Sequence, residues 1–148
     1  MIATQLLMVD HEEAMTMLDT LVARSAVFGE MDTRDPTIFL RLRAALELHY
    51  EIEETLFYPT LKSFPETKEL IEQSFADHAE VKQLLKEIEP GNSLWDDQIV
   101  TLRRQVQDHA EEEEHKLFPQ AERLLGENEL LRIGRQIQAH KGEQTAVA

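Results

Sequence analysis

His49-Tyr50-Glu51-Ile52-Glu53-Glu54-Thr55-Leu56-Phe57-Tyr58-Pro59 aligns without a gap on His109-Ala110-Glu111-Glu112-Glu113-Glu114-His115-Lys116-Leu117-Phe118-Pro119. Both stretches read H-x-x-x-E-E, two residues, two large apolar residues, then proline. Positions i and i+4 of a helix differ by only about 40° in azimuth, so His49 shares a face with Glu53, and His109 with Glu113. Each histidine also falls in an apolar stripe. Leu42 and Ala45 precede His49 at core spacing, with Ile52 and Leu56 beyond it; Leu102 and Val106 precede His109, with Leu117 beyond.

Two further helical patterns carry one histidine each. Asp10-His11 and Asp77-His78 share a shorter frame, with leucine seven residues after the histidine, Leu18 and Leu85. His11 sits between Leu7 and Ala14, and His78 among Ile71, Phe75, Val81 and Leu85. The chain therefore reads as two copies of one helical hairpin, each with a lone histidine followed by a histidine–glutamate pair.

The boundaries follow from local breakers. A first helix runs from about residue 2 to residue 28 and stops near Gly29, with 30–35 as a loop. Asp35 is a candidate N-cap, with Pro36 at the first helical position, where its missing N–H costs nothing. The second helix extends to about Tyr58, where Pro59 ends or kinks it. A third covers about 66–88, and Pro90-Gly91-Asn92 breaks the chain before Ser93, a candidate cap for a fourth helix reaching about Phe118. Beyond Pro119 the pattern resumes to Leu125, Gly126 ends that turn, and a last short helix spans 127–140 before a frayed tail. Four helices of about 20 residues with short connections predict an all-α, antiparallel up-down four-helix bundle. The whole chain, 1–148, is expected to be one domain, with the bundle over about 2–120 and a short C-terminal helical extension over about 121–148.

Composition removes many alternatives. Glycine and proline total ten of 148 residues, well below the average of about 12%, which favours long helices and almost no β-structure. The net charge of −14 opposes a nucleic-acid partner and an anionic membrane surface, since both require clustered positive charge. No cysteine is present, so disulfides, thiolate metal sites and thiol catalysis are excluded, and any metal is held by imidazole and carboxylate. No stretch reaches the roughly 18 apolar residues of a membrane span, and the N-terminal residues lack the basic and apolar regions of a signal peptide. A cytoplasmic location is the expectation.

Four inward-facing histidines with two carboxylates form an unusual core. A buried carboxylate without a partner costs several kcal/mol, and two bound metal ions would supply the missing charge. Imidazole beside carboxylate suits iron, manganese or zinc. Other polar residues are expected to be less directly involved. Glu112 reads as solvated, with an auxiliary ligand as the alternative; Glu54 and Glu114 lean away from the stripe and face water in preference to accepting bonds from the ligands; and Tyr50 reads as packing. His115 and His140 read as surface groups, Trp95 as a cap on the bundle end. Met8 and Met15 flank His11 and are candidates to line a small-ligand cavity, while Asp10 and Asp77 favour helix solubility.

From His11 to about Pro119 the sequence resembles the hemerythrin-like family of HHE cation-binding domains. That resemblance implies an antiparallel four-helix bundle around a non-haem di-iron centre. It would make His11, His49, His78 and His109 terminal imidazole ligands, and Glu53 and Glu113 carboxylates bridging two iron ions, with an oxo or hydroxo bridge between them. The repeat suggests that one ion takes His11 and His49, the other His78 and His109. Oxygen-carrying members have a second histidine four residues after the third-helix histidine, where this chain has Lys82. Their fourth helix pairs histidine with aspartate five residues on, where this chain has His109 and Glu113, with Glu114 behind. Six ligands instead of seven would leave an open position on each ion for a small ligand.

The expected function is binding or processing of a small oxidant such as dioxygen, peroxide or nitric oxide. An iron-responsive or redox sensor without turnover is the alternative, with the segment after Leu125 as its partner surface. A plain structural bundle, its histidines satisfied by hydrogen bonds, is the third.

Overall fold

The computed structural model describes residues 1–28 and 36–147. Among the described residues every regular element is helical. Helix α1 covers Ala3–Phe28, α2 Thr37–Ile52, α3 Lys68–Glu87, α4 Trp95–Glu112 and α5 Phe118–Val147. No described helix is long and apolar enough to cross a membrane.

Two apolar clusters sandwich a polar layer. One gathers Leu18 of α1, Leu42 and Leu46 of α2, Leu85 of α3, and Trp95 and Leu102 of α4. The other gathers Leu7, Ile52, Ile71 and Leu117 with Leu130, Ile133 and Ile137 of α5. Between them, in all four sequence patterns, lie the histidines and the paired glutamates. Trp95 closes its end of the bundle, its ring edge-on to Phe39 at 5.3 Å.

Several boundaries differ from the sequence reading. Gly29 to Asp35, with the expected cap, lie outside the described residues. Pro36 takes the N-cap position of α2 instead of its first turn. Leu94 takes the N-cap position of α4 in place of Ser93, and its N–H donates to Asn92 Oδ1 at 2.9 Å. Residues 65–67 form a separate 3₁₀ turn ahead of α3. In α2 the buried residues are Phe39, Leu42, Leu46, His49, Tyr50 and Ile52; Ala45 is exposed and Ile38 only partly buried. Phe75 is also exposed at the edge of the bundle, with its ring 5.4 Å from Tyr58.

Pro59 and Pro119 do more than stop a helix. Ahead of each lies a π-helical turn, Glu53–Phe57 and Glu113–Leu117, in which Tyr58 N–H reaches Glu53 O and Phe118 N–H reaches Glu113 O. A proline cannot donate to the carbonyl four residues back and its ring crowds that carbonyl. Widening the preceding turn by one residue removes the conflict. Both widened turns begin at the glutamate of the repeated frame, so the same proline that interrupts the helix presents the carboxylate.

The C-terminal segment is longer and better packed than its sequence pattern implied. After the break at Gly126, whose φ of 76° suits glycine, the helix continues to Val147 instead of fraying after His140. Its apolar residues bury against the second cluster. Gly134 permits close approach to the start of α1: a Cβ there would meet Met1 O at 2.5 Å.

Candidate metal centre

All six predicted side chains come together in the polar layer. None of His11, His49, Glu53, His78, His109 and Glu113 is more than 6% exposed. Their donor atoms fall into two overlapping groups, His11–His49–Glu53–Glu113 and Glu53–His78–His109, each within 4.8 Å. Glu53 belongs to both, which places its carboxylate between the two halves.

The imidazoles are oriented from outside by a closed ring of carboxylates. Asp10 on α1 accepts from His49 on α2, with Nδ1 2.9 Å from Oδ2. Glu54, beginning the turn after α2, meets His78 Nδ1 on α3 at 3.0 Å. Asp77 on α3 meets His109 Nδ1 on α4 at 3.0 Å. Glu114, following α4, meets His11 Nδ1 back on α1 at 3.4 Å. Each helix thus supplies the acid that holds the next helix's histidine, which fixes both ring tautomer and rotation. All four Nδ1 atoms are occupied outward, and all four Nε2 atoms face inward.

For Glu54 and Glu114 the preferred reading is water, and for Asp10 and Asp77 solubility, with support of the ligands as the alternative; the alternative holds, and these four form the ring. The repeat carried the signal, since Asp precedes histidine in both α1 and α3 and a second glutamate follows in both long frames. Which histidine each acid serves depends on helix packing. Lys82, standing where the oxygen carriers have histidine, donates to Glu54 at 2.7 Å, and Lys141 of α5 donates to Asp10. One imidazole in each half therefore belongs to a lysine–carboxylate–histidine chain.

Inside the ring several polar atoms are unsatisfied. His11 Nε2, His49 Nε2, both oxygens of Glu53 and Glu113 Oε1 are buried without a hydrogen-bond partner. They lie close, with His49 Nε2 3.0 Å from Glu53 Oε1, His11 Nε2 3.3 Å from Glu113 Oε1, and His109 Nε2 3.1 Å from the same oxygen. Yet the unpartnered atoms do not point along hydrogen-bond directions. Donors converging on a common point behave this way, and such orphaned buried groups call for an ion.

Electrostatics in the metal-free centre follow the same contacts. Burial opposes charge on His49, but Glu53 and Asp10 outweigh it and push the imidazole up to about 10. For His109 burial is likewise overcome, by Asp77 and Glu113, again to about 10. Glu53 is held well below its ordinary 4.5 because His49 and the neighbouring donors outweigh its burial. The folded chain thus keeps these imidazolium protons to higher pH than the unfolded chain does. Their stabilisation is complete below the ordinary imidazole value of 6.5 and is lost as pH rises toward 10. On the acid side, stabilisation by Glu53 is present above 4.5 and is lost as pH falls through its depressed value. Thermal melts of chelated protein are expected to show Tm falling by several degrees across the alkaline window. A Tm flat across that window would count against the imidazolium–carboxylate pairing.

Two tyrosines complete the surroundings. Tyr50 stacks on His78 with ring centroids 4.0 Å apart, so its packing is against the site itself. Tyr58, which the sequence reading did not single out, is fully buried and donates to Glu113 Oε2 at 2.8 Å. Burial, reinforced by Glu53 and Glu113, pushes both phenols well above their ordinary value, so they are neutral without a metal.

A cavity of about 30 Å³ opens beside His11, His49 and Tyr50 and is walled by Ala14, Leu46 and Val106. One water needs roughly 10–15 Å³ by this measure, so the space suits a molecule of two or three heavy atoms. The small side chains make the room; Met8 is exposed, and neither Met8 nor Met15 lines it. His115 is exposed and His140 pairs with Glu51 at 3.2 Å, both away from the donor groups. Glu112 lines an acidic groove with Asp77 and Asp108 that reaches His109.

Residues 3–121 match the family model described as the hemerythrin HHE cation-binding domain. No curated protein and no solved structure matches the chain.

Proposed function

Because the chain belongs to the hemerythrin HHE cation-binding domain family, we propose that it holds two iron ions and binds or processes a small oxidant. Dioxygen, peroxide and nitric oxide are the candidates. The observation that carries this reading is the set of buried, unpartnered donor atoms on His11, His49, Glu53 and Glu113, enclosed by carboxylates that already occupy the outer imidazole nitrogens. One ion is assigned to His11 and His49 and the other to His78 and His109, with Glu53 and Glu113 shared. Manganese or zinc fits the same donors, but neutral imidazole with carboxylate and adjacent space for a diatomic suits redox-active iron.

The helices are assigned an up-down antiparallel order. Leu7 of α1, Ile52 of α2, Ile71 of α3 and Leu117, just past α4, share one apolar cluster, whereas Leu18, Leu42, Leu85 and Leu102 share the other, which supports successive helices running through the polar layer in alternating directions. The single domain, 1–148, includes α5, which caps one end.

When bound, the iron pair supplies electrons and an open position for the small ligand. The chain's own residues do the rest. The carboxylate ring keeps each Nε2 aimed inward, the two apolar clusters exclude bulk water, and the small residues near His11 leave the cavity clear. A sensor reading needs a free partner surface after Leu125, but Leu130, Ile133 and Ile137 are spent inside the chain.

The test is anaerobic loading with ferrous iron followed by titration with dioxygen, peroxide or nitric oxide. A saturable change in the visible spectrum with at least one of them is expected, with iron retained after gel filtration. Iron-loaded protein that responds to none of the three would overturn the oxidant reading and leave a metal-binding module.

A further inference from the structure

The two halves of the centre differ in one buried hydroxyl beside the donor atoms. Within the repeat, Tyr58 corresponds to Phe118. Each follows a π-helical turn, and each ring lies nearly parallel to an imidazole. Tyr58 is 5.5 Å from His78 with 27° between planes, and Phe118 is 5.8 Å from His11 with 8°. The ring at this repeat position therefore packs similarly in the two halves. Only Tyr58 carries a hydroxyl, and packing alone does not require one at a fully buried position.

That hydroxyl points into the donor set. It lies 3.2 Å from His78 Nε2 and 2.8 Å from Glu113 Oε2. The donors around it keep similar spacing: His78 Nε2 is 3.0 Å from His109 Nε2 and 3.2 Å from Glu53 Oε1. An octahedral ion with bonds of about 2.1 Å places adjacent donors about 3.0 Å apart. The phenol oxygen thus stands where a neighbouring corner of the same coordination polyhedron would be.

Resting on the metal reading above, we propose that Tyr58 is a further metal ligand, its phenolic oxygen binding the ion held by His78 and His109. Binding breaks the O–H bond and forms an oxygen–metal bond. The proton leaves to solvent and no electron is transferred. Phe118 offers no oxygen to the ion held by His11 and His49. The two ions are consequently inequivalent: the tyrosine fills a position on one, and the other keeps its open position beside a cavity lined by His11, His49 and His109. The exchange of tyrosine for phenylalanine at this repeat position leaves the ion held by His11 and His49 as the one with a position free for a small ligand.

The experiment uses the full chain loaded with iron and oxidised to the ferric state. A phenolate–iron(III) bond gives a visible charge-transfer absorption, and resonance Raman excitation within it enhances tyrosine ring modes. The chain has only two tyrosines, so the source is assignable. The parent is expected to show the band and the ring modes, Tyr58→Phe to lose both while keeping at least one iron per chain, and Tyr50→Phe to keep both. Iron-loaded parent without the band, or a band that persists in Tyr58→Phe, overturns the proposal and leaves Tyr58 as a hydrogen-bond donor to Glu113. Failure of the parent to bind iron at all would instead overturn the metal reading on which it rests. Where Tyr58→Phe folds poorly, Tyr50→Phe leaves Tyr58 as the one tyrosine, and ring modes retained in that variant uphold the proposal whereas their loss overturns it.

Discussion

Elemental analysis of untagged protein is expected to return about two metal ions per chain, and well under one for the Glu53→Ala/Glu113→Ala double variant. Glu53 is the only side chain in both donor groups, and both of its oxygens are buried without a partner. Removing it deletes a donor from each ion at once. Glu113 Oε1 lies within 3.3 Å of both His11 and His109, so its loss also affects both halves. The four histidines and their carboxylate ring remain in the double variant, but two neutral imidazoles per ion leave the metal's charge uncompensated. Each single variant is expected to fall between the two limits, with Glu53→Ala the more severe. Parent protein containing under one metal per chain after anaerobic iron reconstitution would sink the metal reading and leave a structural bundle.

Chelation is expected to produce the largest change in stability. An ion present at 100 times its Kd adds about 2.7 kcal/mol to the folded state, so two such ions add about 5 kcal/mol. For a chain of this size each kcal/mol corresponds to roughly 2–4 °C in Tm, which predicts a fall of about 10–20 °C on metal removal. Unfolding outright is not expected, because the apolar clusters and the outer ring do not depend on the ion. The metal-free chain instead relies on protonated His49 and His109 against Glu53 and Glu113. Its stability should therefore fall on the alkaline side of neutrality, whereas metal-bound imidazoles are already neutral and the loaded protein should lack that dependence. A melt unchanged by chelation of protein shown to contain metal would contradict this account.

Much of the site was readable because its determinants are local. The histidine–glutamate spacing lies within one turn of helix, and each histidine's place in an apolar stripe follows from the helical period alone. The duplicated frame then tied four helices to one layer. Glu54 and Glu114 were misread for the same reason: azimuth on a helix says where a side chain leaves the axis, not which neighbouring helix it reaches. The π-helical turns were also hidden, although the prolines six residues after Glu53 and Glu113 were a visible cause. Proline was read as a terminator, whereas here the helix widens ahead of it and re-aims the carboxylate. Tyr58 gave no periodic signal, and only its mismatch with Phe118 marked it.

By itself the sequence determined the all-helical class, the duplicated hairpin, and the six side chains that share the buried layer, since these depend on spacing along one helix at a time. Tertiary structure decided which acid holds which histidine, where the small cavity opens, and that one half of the centre gains a phenol oxygen while the other gains only a ring. Those outcomes are set by rotation and register between helices, which the pattern along any one helix does not encode.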